Sequence, residues 1–419
     1  FSSRRRHTRF RNVTGVQTCA LPIYAVPLIQ LAFATHKDMR FAARALGRTH
    51  QTFESSVDPL LRFFHVRDVH PAQWVRIAGC SPVDEPLTTA DIEVTCGFAS
   101  VAPSPVRECP PLVIASWDLE CYSQSRKFPD ADKDTDAIIQ VACSYQRYGE
   151  AAPYRRAVFC FKDTEPVEGV DVRSFDEEHE AINAWIDSLH DERVDVLVGY
   201  NTNQFDAGYL HGRSLVLVDN FTGESLVNLS RMGRLVDGNG TFREWELNSG
   251  AFGQNKFSTL ATPGILQLDL LQIFRRELKL DSYSLGAVST KYLGDTKLDL
   301  PAWQIFDAWE RTPADRARIA EYAAKDTELP LRLMAKLCTF ENLREMANAC
   351  FVTMDMVLNR GQQIKVFSVL MKKARHMGFA CPDNVGIGVV GKYTGATVLE
   401  ARKGAYFDVV SGLDFASRK

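Results

Sequence analysis

Residues 113–121 read Val-Ile-Ala-Ser-Trp-Asp-Leu-Glu-Cys, an apolar run that contains two carboxylates one residue apart. Successive side chains of a β-strand point to opposite faces, so a strand would place Asp118 and Glu120 together. Trp117 and Leu119 would be buried on the other face. Two unpaired carboxylates are costly to bury side by side, and a divalent cation would relieve the repulsion. Two solvated acids at an exposed strand end explain the same pattern, so other parts of the chain must decide.

The composition is that of an ordinary globular protein. The chain has 419 residues, which suggests two or three domains, with 45% hydrophobic and 24% charged residues. The formal net charge is -3, so the sequence predicts no global positive field. Binding of nucleic acid would therefore need a local groove.

The cysteines and the hydropathy pattern exclude two further classes. Ten cysteines are scattered without a Cys-x-x-Cys pair, which indicates neither a zinc site nor a disulfide framework. Reduced thiols in a cytosolic or nuclear compartment fit this usage. No apolar run is long enough to span a bilayer, so we expect no membrane insertion.

The first 108 residues divide into two parts. Residues 1–23 contain the basic run 4–11, which has the character of a nuclear-targeting or nucleic-acid-binding arm but also resembles translated sequencing adapter. We favour the second interpretation and expect a non-native or artefactual extension. Residues 24–108 are expected to form a partial mixed α+β N-terminal domain. It includes a helix capped by Asp58 with Pro59 at its first position, and a proline-rich linker follows.

Residues 109–340 have the pattern of an α/β domain. Apolar residues at i, i+3, i+4 and i+7 predict a helix over 182–189, and a long helix is predicted from Pro313 to about Leu337. Residues 204–213 would open another helix, and 215–262 would contain an inserted hairpin. This order favours a mixed sheet flanked by helices in one domain. The predicted strands are 112–121, 138–145, 157–161, 195–200 and 265–271.

The long helix carries an acid within its apolar stripe. Tyr322 and Asp326 are i and i+4, so their side chains are neighbours on one face. A salt bridge from Asp326 to a nearby Lys or Arg is the simpler explanation of that acid. Pro330 lacks an N–H group, so we expect it to kink or end the helix.

A fourth acid follows a predicted strand that ends at Gly199. Asp206 lies in the first turn of the next helix, where negative charge is favoured by the helix dipole alone. That explanation leaves the polar cluster 201–204 unexplained. Four acids at strand ends and on an inward helix face are the oxygen ligands that Mg²⁺ or Mn²⁺ prefers. A two-metal site of this kind serves phosphodiester displacement.

Three of these segments together resemble the exonuclease motifs of family B DNA polymerases. They are Asp-Leu-Glu at 118–120, Gly-Tyr-Asn-x-x-x-Phe-Asp-x-x-Tyr-Leu at 199–210, and Tyr-x-x-x-Asp at 322–326. The resemblance implies a ribonuclease H-like 3′–5′ exonuclease domain over 109–340, with two Mg²⁺ or Mn²⁺ ions.

The resemblance also implies a role for each motif residue. Asp118 would bridge both ions and Glu120 would join it, while Asp206 and Asp326 would complete the ligand set. Tyr322 would orient the attacking water. Asn201 and Phe205 would contact the 3′-terminal nucleotides.

The resemblance continues beyond residue 340. Residues 360–368 are similar to the segment that follows the exonuclease in delta-type polymerases. Tyr393 and Gly395 lie in a Tyr-x-Gly-Ala run that resembles a template-contacting loop, although a plain turn would explain it too. Asp414 stands where the first palm motif has a polymerase metal ligand, but the match stops at Arg418-Lys419. We therefore expect 341–419 to be a connecting segment and a truncated palm, within a fragment that has no polymerase activity of its own.

The implied partners are a single-stranded 3′ end of DNA and a primer–template, with deoxynucleotides for the parent enzyme. A sliding clamp and accessory subunits are plausible for the family, as is a nuclear or viral replication site. Two other functions remain open at this point. A free-standing DEDD-type exonuclease would share the four acids but not the Tyr393 and Asp414 segments. A catalytically inactive nucleic-acid-binding scaffold would be expected to lack at least one acid.

Overall fold

A computed structural model describes residues 5–6, 28–236, 242–249, 253–295, 300–383 and 404. The chain divides into two compact units. The smaller unit comprises 1–56 and 380–419, and the larger comprises 57–379.

The larger unit contains almost all of the regular structure. The strands are β1 Arg5–Arg6, β2 Leu28–Ile29, β3 Val75–Ile77, β4 Cys80–Pro82, β5 Val94–Cys96, β6 Val101–Pro103, β7 Val113–Cys121, β8 Ile138–Arg147, β9 Arg155–Phe161, β10 Asp171–Phe175, β11 Val196–Gly199, β12 Phe242–Ser249, β13 Gly253–Leu260 and β14 Leu266–Asp269. The helices are α1 His36–Leu46, α2 Pro59–Arg67, α3 Glu178–Asp191, α4 Asp206–Val216, α5 Leu270–Glu277, α6 Leu285–Leu293, α7 Ala302–Glu310, α8 Pro313–Lys336, α9 Thr339–Cys350, α10 Met354–Asn359 and α11 Gln362–His376.

In the smaller unit, one carboxylate joins two distant segments of the chain. Asp383 accepts hydrogen bonds from the backbone amide and hydroxyl of Ser55, at 3.0 and 2.6 Å, and from both groups of Ser56. These bonds to the charged form lower the pKa of Asp383 against the effect of its burial.

A six-stranded mixed sheet forms the centre of the larger unit, in the order β10-β9-β8-β7-β11-β14. Strands β7, β8 and β9 pair antiparallel, whereas β11 pairs parallel with both β7 and β14. The chain passes through helices between β7 and β11 and between β11 and β14, whereas β9 and β10 also pair parallel and are joined by residues 162–170 without a helix. The predicted mixed α/β architecture is confirmed.

The two faces of the sheet are packed differently. On one face, Trp117 stacks on Trp185 of α3 with ring centroids 4.9 Å apart, and Leu119 is buried in the same cluster. On the other face, Ala142 of β8 packs against Ala320 and Ala323 of α8. Small residues on both sides let this helix lie close to the strands. The alternation along β7 therefore separates an apolar layer from a face that can hold polar groups.

The predicted strands and helices are present, with two differences. The predicted strand 265–271 ends at Asp269, because the Asp269 carboxylate accepts the Leu271 amide and caps the start of α5. Helix α8 continues through Pro330 to Lys336, so this proline does not end it. In the part of the chain that the structure describes, no helix is long and apolar enough to cross a membrane.

A buried ion pair connects four segments around the sheet. Arg213 of α4 and Glu178 of α3 are 2% and 5% exposed and lie 2.6 Å apart. Glu178 also accepts the Ile138 amide at the start of β8, at 2.9 Å. Arg213 donates to the carbonyl oxygens of Ala131 and Lys133 in the loop that follows β7. The pair thus holds that loop against the two helices with its charges satisfied.

We expect Arg213→Met to destabilise the protein by about 3–5 kcal/mol, because it leaves the Glu178 carboxylate buried without its cation. Urea unfolding followed by circular dichroism measures the change. Arg193→Met is the matched control, because the Arg193–Asp91 pair is exposed, at 72% and 68%, and its loss should hardly move the midpoint. Equal midpoint shifts for the two variants would contradict the structural role of Arg213.

A second buried group makes stability depend on pH. His65 of α2 is 6% exposed, and its Nε2 lies 2.8 Å from the Ser368 hydroxyl, which itself donates to a backbone carbonyl. His65 is therefore held as the neutral Nε2–H tautomer. Burial lowers its pKa to about 4, and three neighbouring cations add to the effect: Arg62, Lys372 and Arg375.

Since the unfolded chain binds this proton near pH 6.5, the contribution of His65 to stability is complete above that pH. It is lost as the pH falls from 6.5 towards 4. We expect the wild-type protein to lose on the order of 2 kcal/mol more than His65→Gln between pH 7 and pH 5. Urea unfolding at both pH values measures this difference. An equal loss of unfolding free energy in both proteins between pH 7 and pH 5 would show that His65 titrates normally in the folded state.

Candidate active site

Strand β7 presents two acids on one side of the sheet. Asp118 is paired with Ala142 and Glu120 with Gln140 on β8, and Glu120 is only 8% exposed. Their face is the one that packs against α8, opposite the Trp117 layer. The same-face prediction is confirmed. Two solvated acids at an exposed strand end are excluded, because β7 is a central strand and Glu120 is buried.

Helix α8 brings a tyrosine and a third acid to this face. Tyr322 and Asp326 are 7% and 6% exposed. Burial raises the pKa of Tyr322 far above its ordinary range, and the charges of Glu120, Asp326 and Asp118 add to the shift together with a side-chain hydrogen bond to Asp326. Tyr322 is therefore a protonated hydroxyl surrounded by carboxylates. The basic residues Lys325 and Arg332 of the same helix pair with Asp295.

Asp206, the first residue of α4, reaches the middle of β7. Its Oδ1 accepts the Leu119 amide at 3.2 Å, and the side chain is 3% exposed. This amide is available because the pairing of β11 with β7 covers only 114–116 of β7. Burial raises the pKa of Asp206 to about 7 against the opposing effect of that hydrogen bond, and the charge of Asp269 adds to the rise. An interaction with the helix dipole alone does not explain why the Asp206 carboxylate accepts a backbone amide of β7.

The turn before Asp206 has a constrained backbone. A Cβ on Gly199 would lie 2.1 Å from the Thr202 Cγ2, so a larger residue there would force the Thr202 side chain to move. Asn201 adopts a left-handed conformation with φ 73°. The Asp269 carboxylate accepts the backbone amides of Asn201 and Asn203, at 2.9 and 3.1 Å, and orders the turn.

Asp269 was missed by the sequence reasoning. It also caps α5, and burial raises its pKa. The available signal was Asp269 itself, an acid in the run Leu-Gln-Leu-Asp within the predicted strand 265–271. Asp269 therefore positions the turn that carries Asn201 and leads to Asp206.

The Cys121 thiol at the end of β7 is close enough to several acids for their charges to affect its pKa. Burial raises its pKa, and then Asp206, Glu120, Glu178 and Asp118 add to the rise, in that order. The charges of Asp118 and Glu120 raise the pKa values of both Cys121 and Tyr322. Asp118, Glu120 and Asp206 are therefore near Cys121, and Asp118, Glu120 and Asp326 are near Tyr322.

The donor set is all oxygen, which is the chemistry that Mg²⁺ and Mn²⁺ select. Within the described ranges, no three His, Cys, Asp or Glu side chains are already arranged to hold a metal ion. The fit to a divalent cation therefore rests on the type of ligand and on the shared electrostatics of the acids.

Aromatic rings lie beside the acids at the start of α4. The ring of Phe205 is 5.3 Å from Phe128 and 5.3 Å from Tyr209. Phe128 is 77% exposed and belongs to the loop that Arg213 holds after β7. The sequence reasoning did not select Phe128 as a site residue, although an aromatic side chain ten residues after Asp118 was visible.

Three predicted residues cannot be located. Tyr393, Gly395 and Asp414 lie outside the described residues. The remaining predicted residues belong to the larger unit: Asp118, Glu120, Asn201, Phe205, Asp206, Tyr322 and Asp326.

Two family models match the chain. One describes the exonuclease domain of DNA polymerase family B and matches residues 50–288, which is more than half of the chain. The other describes DNA polymerase family B and matches residues 352–418.

Individual relatives agree with these models. A DNA polymerase of Paramecium bursaria Chlorella virus NY2A is 50% identical over 391 residues, which are 93% of this chain and 43% of that protein. The DNA polymerase delta catalytic subunit of Schizosaccharomyces pombe is 35% identical over 373 residues, covering 87% of this chain and 34% of the subunit. That of Drosophila melanogaster is 34% identical over 378 residues, covering 88% and 34%. The chain thus spans less than half the length of these curated relatives.

The matched exonuclease model spans both β7 acids and the turn leading to Asp206, and the second model follows it along the chain. The chain therefore belongs to family B of the DNA polymerases and carries the exonuclease domain of that family.

Proposed function

We propose that this chain acts as a metal-dependent 3′–5′ proofreading exonuclease within a replicative DNA-directed DNA polymerase. One observation carries the proposal. The acids of β7 and the Tyr322–Asp326 pair of α8 share one face of the central sheet, and Asp206 of α4 binds the β7 backbone at Leu119, between the two β7 acids. Acids at this density are a poor choice for stability, and perturbed pKa values of this kind cluster at functional sites.

Asp118, Glu120, Asp206 and Asp326 would hold two Mg²⁺ or Mn²⁺ ions. Such ions, when bound, stabilise the attacking and leaving oxygens of a phosphodiester displacement. The raised pKa of Tyr322 keeps its hydroxyl protonated at working pH. The Tyr322 hydroxyl can therefore orient an attacking water by hydrogen bonding, while Asp326 holds the hydroxyl in place.

The aromatic cluster supports binding of a single-stranded 3′ end. Bases stack on aromatic faces without regard to sequence, which suits an enzyme that must remove any mismatched nucleotide. Phe205 and the exposed Phe128 would receive the terminal bases, and the polar turn at Asn201 would contact the sugar or phosphate. Tyr393 and Gly395 would contact the template side.

The wider assignment follows the same proposal. The sheet with helices on both faces supports a ribonuclease H-like exonuclease domain over 109–340, preceded by a partial N-terminal domain over 24–108. Residues 341–419 would connect it to a palm in which Asp414 binds a polymerase metal ion. The parent protein would use a primer–template and deoxynucleotides, with a sliding clamp and accessory subunits, in a nucleus or at a viral replication site.

The two rival functions are less well supported. A free-standing exonuclease does not explain the match of residues 352–418 to the polymerase family. An inactive scaffold does not explain why the chain carries all four acids and Tyr322, with Asp118, Glu120 and Asp326 close enough to Tyr322 to affect its pKa.

We expect Asp118→Ala to reduce the removal of nucleotides from 5′-labelled single-stranded DNA in Mg²⁺ by at least about 100-fold, because even partners of metal ligands change activity by 10–100-fold. Gel electrophoresis of timed samples measures the rate. Glu321→Ala, an exposed acid on α8, is the matched control and should keep wild-type activity. Digestion by Asp118→Ala at the wild-type rate would refute the assignment.

We expect Phe128→Ala to raise the KM for single-stranded DNA about 5-fold to 100-fold at similar kcat, because one base loses a stacking partner. Steady-state exonuclease kinetics measure both constants. The side chain is largely exposed, so folding should be preserved. Phe221→Ala, at a fully exposed phenylalanine on a different turn, should leave KM unchanged. An equal effect of both variants would mean that Phe128 makes no specific contact.

A further inference from the structure

Two cysteines face each other across a small antiparallel ribbon outside the candidate active site. Strand β4 pairs with β5 so that Cys80 is directly opposite Cys96, with Pro82 opposite Val94 at the other end. Both thiols are reduced in the structure. The ribbon belongs to the larger unit.

The hydrogen-bond pattern identifies the type of pair that the two cysteines form. The Val83 amide donates to the Glu93 carbonyl at 3.1 Å, so this is a hydrogen-bonded pair. Such pairs alternate with non-hydrogen-bonded pairs along an antiparallel ladder. The Cys80–Cys96 pair lies three pairs before the Val83–Glu93 pair along this ladder, so it is a non-hydrogen-bonded pair. Pro82 is in the same class of position, as its missing N–H group requires.

A non-hydrogen-bonded pair has the spacing that a disulfide needs. Its Cα atoms are about 4.5 Å apart, within the range of roughly 4.4–6.8 Å found for disulfides. The two Cβ atoms also point to the same face, since the residues are direct cross-strand partners. No change of strand register is required to join them.

Accessibility distinguishes this pair from the cysteines of the central sheet. Cys80 is exposed and Cys96 is partly exposed. Cys121, Cys143 and Cys160 are buried, and burial raises the pKa of each thiol, which suppresses the reactive thiolate.

We propose that Cys80 and Cys96 are a reversible thiol–disulfide site that locks the ribbon 80–96 under oxidising conditions. With glutathione disulfide as the oxidant, the Cys80 thiolate attacks one of its sulfurs and expels a glutathione thiolate. The Cys96 thiolate then attacks the Cys80 sulfur of the mixed disulfide and expels the second glutathione thiolate. Two protein thiols are oxidised to one disulfide, and one glutathione disulfide is reduced to two thiolates, which take up the two protons that the protein thiols lose.

The lock would act on a loop that docks onto the exonuclease domain. Between the two strands, the Thr89 amide donates to the Arg234 carbonyl at 2.8 Å, and the Val236 amide donates to the Leu87 carbonyl at 2.9 Å. Arg234 in turn pairs with Asp195, whose carboxylate accepts the Val113 amide at the start of β7. A disulfide between Cys80 and Cys96 would join the two ends of this loop. It would therefore restrict the conformations in which the loop separates from residues 234–236.

Incubation of the purified chain in glutathione buffers of increasing disulfide fraction, followed by alkylation and peptide mass spectrometry, tests the proposal. We expect a linked peptide pair containing Cys80 and Cys96 in monomeric protein, reversed by dithiothreitol. Hydrogen exchange of amides in 83–93 should slow at least about tenfold on oxidation.

Cys96→Ser should instead accumulate glutathione on Cys80 without slowing exchange in the loop. Cys338→Ser, which removes an exposed cysteine outside the ribbon, should behave like the wild-type protein. Stable glutathione adducts on Cys80 in the wild-type chain, a different intramolecular pairing, or disulfides only between molecules would each overturn the proposal. These readouts do not depend on nuclease activity, so they stand apart from the proposed function.

Discussion

The hydrogen bond from the Leu119 amide to the Asp206 carboxylate joins the two halves of the candidate active site. It exists because β11 is short. Pairing with β7 ends at Ser116, and the β7 backbone beyond that point is left to a side chain from the next helix. The acids therefore meet at the carboxyl end of β11, the edge at which parallel sheets commonly bind ligands.

This arrangement concentrates negative charge in a region that is largely buried. The pKa of Asp206 rises to about 7, and those of Tyr322 and Cys121 also rise, because each negative form is desolvated and close to other acids. A divalent cation would stabilise the same carboxylates that destabilise the unliganded fold. The acids therefore lower the stability of the unliganded fold, and a bound cation would offset that loss, which is typical of functional sites.

Neighbouring interactions hold this charged region in shape. Asp269 orders the turn before Asp206 by accepting two backbone amides, and the buried Glu178–Arg213 pair holds the loop that carries Phe128. On the far side of β7, the stacked Trp117 and Trp185 rings anchor the strand against α3. The site is therefore supported on one side by an apolar layer and on the other by α8.

The sequence by itself determined the mixed α/β class and the same-face placement of Asp118 and Glu120, because strand periodicity and apolar runs are local properties. The neighbouring positions of Tyr322 and Asp326 on α8 also follow from local helix geometry. Only the tertiary structure decided that Asp206 binds the Leu119 amide and that Asp269 holds the Asn201 turn. The same is true of Phe128, which lies against Phe205, and of Cys80, which lies opposite Cys96. Those contacts depend on where β11 and β14 end, how loops fold back and which register a ribbon adopts, and none of these is encoded in the spacing of residues along one segment.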